Sequence, residues 1–487
     1  MTLRFISAIV LLAAALLHGQ APAPAPKASP VKEIPEPATP PPEVPPTGTV
    51  PENLENLVET ISSQSRSLLD HLPPPPQSVL RAIIGFVALL VLAYLGGHPK
   101  VVEWERRLRI AHITTAGLPF LLLGYLASRP FIGILTPSVL REIGPLLPLG
   151  LGWIGFVIGS RFSGGALDRL APGIGAAVLL TTSIPFAVIF GLSAVLLLGI
   201  YPLLAPSGGT GAIRDAIILA AAGTMAARGA PFFFAPFSAG APVSERSLRI
   251  IELEQLAGVL GMMMISAFVR PQGGVVSWQL PGTAWLFVIF GIGTIMGMVI
   301  TAVLNNLSEG PPFTAALLGA VAFTAGMASY LRLSPIAVCG IAGAILVNFG
   351  GPWREQARDL LERMERPIYF VFLVLAGALW NPGEWQGWIL MFFFVAGRIA
   401  SKWVATILLE RFWLKPLSRA ERWTLAGAPM GALAVAIVVS AQDLYSGPTV
   451  GWIVTAVIGT TIVMEATLQY AARRAGRETS ALATQVD

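Results

Sequence analysis

Residues 386–412 read QGWILMFFFVAGRIASKWVATILLERF, an apolar run with two cations inside it. The run is long enough for a helix that crosses a bilayer, because about 20 residues span the hydrocarbon core. Arg398 and Lys402 lie four residues apart, so a helix places both on one face. A cation at this depth costs roughly 2.5–3.5 kcal/mol on insertion scales and is tolerated only with a partner or a water-filled cavity. The alternative is that the side chains reach the membrane interface, which suits Lys402 better than Arg398.

The composition indicates a polytopic membrane protein. Hydrophobic residues make up 54% of the 487 residues and charged residues only 12%, a balance outside the range of soluble domains. The net charge of +5 is spread over short loops, where it reports membrane orientation and not nucleic-acid binding. The single cysteine, Cys339, lies in an apolar run, and the histidines form no ligand cluster. We therefore predict an all-α membrane protein that uses no cofactor, holds no metal and binds no nucleic acid.

No motif of an intramembrane enzyme occurs in the apolar segments. The chain lacks His-Glu-x-x-His, a Gly-x-Gly-Asp motif paired with a second aspartate, and a serine–histidine dyad within the segments. The sequence therefore predicts a protein that is not an enzyme.

The N-terminal part of the chain differs in composition from the rest. Residues 1–21 have the basic start and short apolar core of a signal peptide. Residues 22–51 are rich in proline and alanine and predict an extended, disordered tether. Residues 52–76 predict an amphipathic extracytoplasmic helix followed by a proline linker. The helix either rests on the membrane, pairs with a neighbouring helix or acts as a spacer.

Residues 77–472 predict a transmembrane domain of about 13 helices, followed by a cytoplasmic tail at 473–487. The predicted spans are 78–97, 111–128, 140–160, 174–200, 213–235, 250–269, 282–304, 313–331, 334–349, 367–381, 386–409, 423–442 and 449–472. Basic residues concentrate in alternate loops and in the tail, so the positive-inside rule predicts an extracytoplasmic N-terminus and a cytoplasmic C-terminus.

Two apolar segments are interrupted by residues that break helices. They are 223–231, GTMAARGAP, and 426–431, AGAPMG; the breakers are Gly229 and Pro231 in the first and Pro429 and Gly431 in the second. Interruptions in corresponding positions of two halves are typical of broken helices that cross at the binding site of a transporter. The alternative is that the glycines only allow close helix packing.

A third interruption places Glu252, Glu254 and Gln255 inside or at the edge of an apolar segment. A carboxylate at membrane depth pairs with a cation such as Arg398 or Lys402, and it can carry a proton during coupled transport. The alternative is that Glu252 and Glu254 lie at the cytoplasmic mouth beside the basic residues that precede them.

The chain resembles the monovalent cation:proton antiporter superfamily, in particular bacterial sodium–proton and Kef-type exchangers, and its second half does so more closely. The resemblance covers about residues 80–487 and is carried by segments such as ERPIYFVFLVLAGALW, AGAPMGALAVAIVVSAQDLY and IVTAVIGTTIVMEATL. It implies two inverted repeats, two crossed broken helices in a mobile core, a homodimer, and a location in the bacterial inner membrane.

The resemblance also implies roles for individual residues. It places family positions on Thr224 in the first broken helix, on Pro429 and Gly431 in the second, and on Lys402 or Arg398 as the basic residue of the core.

The ion site of the family is a pair of adjacent acidic residues, or Asn-Asp, on the sixth helix. Glu254 and Gln255 match these positions, so an amide stands where family members bind the ion and the proton; a site shifted to Glu252 and Glu254 is the alternative. The resemblance implies a secondary transporter that exchanges Na⁺ or K⁺ for protons, in contact with lipid and a second copy of the chain. The substitution at Gln255 favours a different hypothesis, a non-transporting or repurposed member whose extracytoplasmic segment serves sensing or interaction.

Overall fold

A computed structural model describes the part of the chain that carries the predicted spans. The described residues are 85, 87, 117–129, 134–165, 172–204, 210–227, 244–271, 278, 280–307, 310–349, 351, 353–412, 417–447 and 449–467. The predicted signal peptide, tether, amphipathic helix and tail lie outside them, as do Gly229 and Pro231. The same holds for most of the first predicted span, so the count of 13 spans stays a prediction.

The described residues are almost entirely helical. The helices are α1 Leu118–Ala127, α2 Pro137–Glu142, α3 Leu146–Ser160, α4 Ile174–Leu204, α5 Thr210–Thr224, α6 Glu245–Phe268, α7 Gly282–Asn305, α8 Pro311–Tyr330, α9 Pro335–Phe349, α10 Arg354–Leu379, α11 Trp385–Phe412, α12 Arg419–Gly427, α13 Ala432–Leu444 and α14 Thr449–Thr467.

Six of these helices are long and apolar enough to cross a membrane, counting only the described residues. They are α4 over Ile174–Gly199, α6, α7, α8, α11 and α14. Helices α3, α9 and the Leu433–Leu444 part of α13 are apolar but shorter. The protein is therefore a multi-pass membrane protein built from helices, as its composition predicts.

The helices pack as two groups. Helices α1, α3, α7, α8, α9 and α10 contact one another most extensively, with α3 in the middle, and α4, α5, α6, α11, α12, α13 and α14 form the other group. Helix α6 contacts α3, α7 and α9, so it connects the two groups. Close approach of α3 to α9 requires glycine, because a Cβ atom on Gly159 would strike the carbonyl oxygen of Gly340.

Four predicted spans differ from the helices observed, in three ways. The span predicted at 140–160 is divided at 143–145, where Pro145 precedes α3. The span predicted at 367–381 belongs to α10, which begins at Arg354 because Ala357 and Leu361 are buried in a cluster with Trp353. The charged residues on the opposite face of the first half of α10 led to the prediction of a loop there.

The third difference is that both interrupted segments end a helix. Helix α5 stops at Thr224, and residues 225–227 are not helical. The predicted span 423–442 consists of two helices, α12 and α13, separated by residues 428–431.

The start of α12 is held by a capping box that also contacts α6. Ser418 Oγ accepts from the Glu421 amide, and Glu421 Oε2 accepts from the Ser418 amide at 2.8 Å. Ser244, which precedes α6, donates its hydroxyl to Glu421 Oε1 at 2.6 Å. Burial alone would raise the pKa of Glu421, but the hydrogen bonds from Ser244 and Ser418, with the charge of Arg246, outweigh it and lower the pKa below 4.5.

We expect Glu421→Gln to lower the unfolding temperature at neutral pH and to have a smaller effect in acid. A carboxylate with a depressed folded pKa stabilises the protein above its unfolded pKa, and this contribution is lost as the pH falls through the folded pKa. Thermal unfolding of detergent-solubilised protein, from neutral pH to well below 4.5, measures the difference. Thr136→Ala is the control, because the Thr136 hydroxyl caps α2 by accepting from the Val139 amide, and loss of such a cap costs about 1 kcal/mol with little dependence on pH. The prediction would be contradicted if the difference in unfolding temperature between wild type and Glu421→Gln stayed constant with pH.

Candidate ion site at a crossing of two extended segments

The non-helical residues after α5 meet those between α12 and α13. The Ala227 amide donates to the carbonyl oxygen of Pro429 at 2.9 Å. A Cβ atom on Gly431 would lie 3.1 Å from Ala227 Cα, so the backbones are close enough to require a small residue there. The two interruptions singled out in the sequence, about 200 residues apart in the chain, therefore meet in space, and we call this contact the crossing.

The backbone carbonyls that the break in α5 leaves free are bound by side chains of other helices. Arg398 Nη2, from α11, donates to the Met225 carbonyl at 2.7 Å. Gln255 Nε2, from α6, donates to the Ala226 carbonyl at 3.4 Å. Unsatisfied backbone groups are costly in a bilayer, so these bonds allow α5 to end at membrane depth.

Arg398 is fully buried, with 0% of its surface exposed. Besides Met225, it contacts Met464 Sδ of α14 through Nη1 at 3.4 Å, and its Nε has no hydrogen-bond partner among the described residues. A guanidinium at the carbonyl end of α5 also offsets the partial negative charge of that helix terminus. Arg398 therefore holds the end of α5 and does not reach a membrane interface.

Lys402 forms an ion pair with Glu254 across α11 and α6. Lys402 Nζ lies 2.8 Å from Glu254 Oε1, and each side chain is only 1% exposed. The other carboxylate oxygen, Oε2, has no hydrogen-bond partner among the described residues. Because the low dielectric strengthens the attraction while desolvation opposes it, the pair is stable only as long as both charges are present.

Glu252 lies apart from this pair, although it is only two residues from Glu254. Its carboxylate pairs with Arg249 at 3.1 Å, and its side chain is 20% exposed. Two positions on a helix differ by about 200° around the axis, so the two carboxylates point in different directions. Each of the two alternatives that the sequence left open therefore applies to one of the acids. Glu254 faces α11, and Glu252 lies beside a basic residue near the start of α6.

Gln255 and Thr224 both lie at the crossing. Gln255 is 7% exposed and is bound to the carbonyl of Ala226, as described above. Thr224 is the last residue of α5 and is 1% exposed; its hydroxyl donates back to the Ala221 carbonyl at 2.8 Å. The arrangement around Glu254 therefore supplies one carboxylate, one amide, one hydroxyl and several backbone carbonyls. Among the described residues no group of three or more His, Cys, Asp and Glu side chains is close enough to hold a metal ion.

Two further carboxylates are buried that the sequence did not assign to a site: no pattern marked Asp215, and the nearby basic tail favoured a position at the membrane interface for Glu465. Asp215 of α5 is 0% exposed, pairs with Arg214 Nε at 2.7 Å and accepts a hydrogen bond from the Thr449 hydroxyl. Glu465 of α14 is also 0% exposed and has no hydrogen-bond partner among the described residues. The sequence signal for Glu465 was an isolated acid in the apolar run TIVMEATL. Its proximity to the basic tail obscured this signal.

A cavity of about 820 Å³ lies between the two helix groups, away from the start of α6. Its polar lining residues are Arg141, Ser329, Arg332, Gln442 and Asp443. Val439 of α13 also lines it and lies about 12 Å along the helix from Gly431, at about 1.5 Å per residue. The cavity therefore approaches the crossing from one end of the bundle.

Two solved structures of MjNhaP1, a sodium–proton antiporter from Methanocaldococcus jannaschii, resemble this protein. The structure at pH 8 aligns with a TM-score of 0.55 and 16% identity, covering 81% of this chain and 99% of that chain. The electron-microscopy structure aligns with a TM-score of 0.52 and 18% identity, covering 80% and 96%. No family model and no curated protein matches the sequence. At this identity the likeness establishes the architecture, and the chain has the fold of a cation:proton antiporter.

Proposed function

We propose that the protein is a secondary transporter that exchanges a monovalent cation, Na⁺ or K⁺, for protons by alternating access. The observation that carries the proposal is the buried ion pair of Glu254 and Lys402 beside the crossing. A buried pair of this kind rarely adds net stability over apolar residues, so its presence at membrane depth indicates a functional role. The antiporter fold supports the same conclusion.

The charges at the site couple the cation to a proton. In the pair, the carboxylate of Glu254 and the ammonium of Lys402 sum to zero charge. A cation that binds the carboxylate must displace Lys402, which would leave one excess positive charge in a low-dielectric region. Loss of the Lys402 proton restores neutrality, so one cation enters as one proton leaves.

The crossing supplies oxygen atoms for the cation. The carbonyls of Ala226 and Pro429 and the hydroxyl of Thr224 lie on the segments that meet there. Hard cations prefer oxygen ligands, and the unpartnered Oε2 atom of Glu254 adds a charged one. Arg398 keeps the end of α5 in place while Lys402 moves, so the two cations of α11 have separate roles in this mechanism.

Alternating access requires the two helix groups to move relative to each other. In this mechanism the cavity lined by Arg332 and Asp443 serves as the opening on one side. The proposal further includes a homodimer in the bacterial inner membrane, with the N-terminus outside and the C-terminus in the cytoplasm. The loop charges and the resemblance support these features.

The experiment that tests the proposal measures cation-driven proton movement in proteoliposomes. A pH gradient is imposed, and a pH-sensitive dye reports its dissipation when Na⁺, K⁺ or Li⁺ is added. We expect exchange in the wild type and loss of at least tenfold in Glu254→Gln, because the only carboxylate that contacts Lys402 among the described residues is removed. Glu252→Gln is the matched control, since that carboxylate pairs with Arg249, and it should retain exchange.

Two outcomes would change the conclusion. Exchange that survives in Glu254→Gln would keep the antiporter and reject the site. No proton movement with any cation, from well-folded wild-type protein, would favour the second candidate, a non-transporting member of the fold. The observation that favours this second candidate is the side chain of Gln255. It is an amide where the family has an acidic residue, and it donates a hydrogen bond to the Ala226 carbonyl.

A further inference from the structure

Glu465 is a buried carboxylate that the mechanism above does not use. It lies near the end of α14, is 0% exposed, and neither of its oxygens has a hydrogen-bond partner among the described residues. An ionised carboxylate in such surroundings loses its hydration with nothing to replace it, at a cost of several kcal/mol. A carboxyl group that carries a proton avoids this cost, so the surroundings of Glu465 fit the neutral acid.

Glu465 lies where the two helix groups meet. The indole of Trp380, at the end of α10, donates to the Thr455 hydroxyl near the start of α14 at 3.2 Å. Eleven residues earlier in the chain, α10 presents Tyr369, which is close enough to Glu465 to interact with it electrostatically. Helices α10 and α14 are therefore antiparallel neighbours, and Glu465 lies on α14 towards α10.

The adjacent residue connects Glu465 to the candidate ion site. Met464 contacts the guanidinium of Arg398, which in turn binds the end of α5. Movement of the group that carries the ion pair therefore moves α14 as well, while α10 belongs to the other group.

Among the described residues, no charged or titratable group on the neighbouring helices α10 and α11 donates a hydrogen bond to the carboxyl group of Glu465. On α10 these are Tyr369 and Arg366, and Arg366 lies over the ring of Phe370. On α11 they are Arg398 and Lys402, which are bound to the Met225 carbonyl and to Glu254. No described cation forms an ion pair with Glu465, so a proton is the ligand that its position suits.

We propose that Glu465 is a second proton-binding site, which holds a proton in the state described here and releases it to water when α14 moves relative to α10 during exchange. The proposal rests on the proposed function. The step is dissociation of the carboxylic acid into a carboxylate and a proton that water accepts. When the helices return, the carboxylate takes up a proton from water on the opposite side. It gives the chain a second titrating group, which Gln255, as an amide, cannot provide. The exchange then moves one more proton per cation than the pair of Glu254 and Lys402 alone.

The first test is infrared spectroscopy of the reconstituted full-length protein, with the proton as the only ligand. We expect wild type at neutral pH to show the carbonyl stretch of a protonated carboxylic acid, identified by its shift in D₂O. Glu465→Gln should lose this signal, and Glu465→Asp should keep it. Glu410→Gln is the control, because Glu410 forms an exposed pair with Arg422 and should leave the signal unchanged. A signal that persists at full size in Glu465→Gln would overturn the proton site.

The second test measures the ratio of protons to cations from the cation gradient that stops net exchange at a fixed pH gradient and a fixed membrane potential. We expect Glu465→Gln to move one proton fewer per cation than wild type, an effect that a purely structural role would not produce. An unchanged ratio in an active Glu465→Gln protein would overturn the role in exchange. If wild type moves no protons with any cation, the proposed function and the coupling of Glu465 fail together, while the infrared signal still decides whether Glu465 binds a proton.

Discussion

Lys402→Met should lower the unfolding temperature markedly, and the double variant Glu254→Gln/Lys402→Met should recover most of the loss. Removing one partner of a buried ion pair leaves the other charge without compensation and costs about 3–5 kcal/mol. Replacing both partners by neutral side chains removes the cost, because no charge remains to be buried. Thermal unfolding of the detergent-solubilised protein at neutral pH measures these differences.

The same variants separate stability from transport. Both should fail to exchange cations for protons, since the proposed coupling needs the carboxylate and the ammonium together. The control is Glu410→Gln, which breaks a pair with Arg422 in which the side chains are 24% and 46% exposed. A pair of this exposure contributes about 0–1 kcal/mol, so the unfolding temperature should change little. Destabilisation of the double variant equal to the sum of the single effects would show that Glu254 and Lys402 do not interact in the folded protein.

The second large effect is expected from Ala227→Pro at the crossing. Proline has no amide hydrogen, so the bond from Ala227 to the Pro429 carbonyl is lost. The proline ring would also occupy the position of that hydrogen. Because the nitrogen of residue 227 lies only 2.9 Å from the Pro429 carbonyl oxygen, the ring would push the two segments apart. Leaving a buried carbonyl without its donor costs about 1–3 kcal/mol before the steric effect is added.

We expect Ala227→Pro to abolish exchange and to lower the unfolding temperature. Ala227→Ser is the matched control, because it keeps the amide hydrogen and adds only one oxygen atom to a partly buried side chain. Proteoliposome exchange and thermal unfolding are measured on both. Wild-type exchange in Ala227→Pro would mean that the backbone contact between the two segments is not needed for transport.

The architecture was largely predictable, because a membrane imposes strong constraints on sequence. A bilayer requires long apolar helices, so composition and segment length identified most of the helices that the structure describes. Only glycine, proline and charge disturbed the pattern, at 223–231 and 426–431, and a helix ends in each segment, α5 at Thr224 and α12 at Gly427. The exception was the first half of α10, whose charged face hid a helix that packs against Trp353.

The candidate site was predictable in its residues but not in its contacts. The sequence identified the cations Arg398 and Lys402 and the acids Glu252 and Glu254, and it left the pairing open. Which acid pairs with which cation depends on the rotation and depth of α6 relative to α11. These are set by side-chain packing among helices far apart in the chain. Only the tertiary structure brings Lys402 to Glu254 and places Arg398 on the Met225 carbonyl.

By itself, the sequence determined the membrane class, most helix positions and the location of the breaks, because these depend on local hydrophobicity and backbone chemistry. The tertiary structure decided which buried charges are neutralised and which are not. Glu254 and Glu465 both lie in apolar helices, yet one meets a lysine and the other has no partner among the described residues. The physical reason is that the cost of burying a charge depends on what lies within a few ångströms of it in space, and sequence separation does not reveal this.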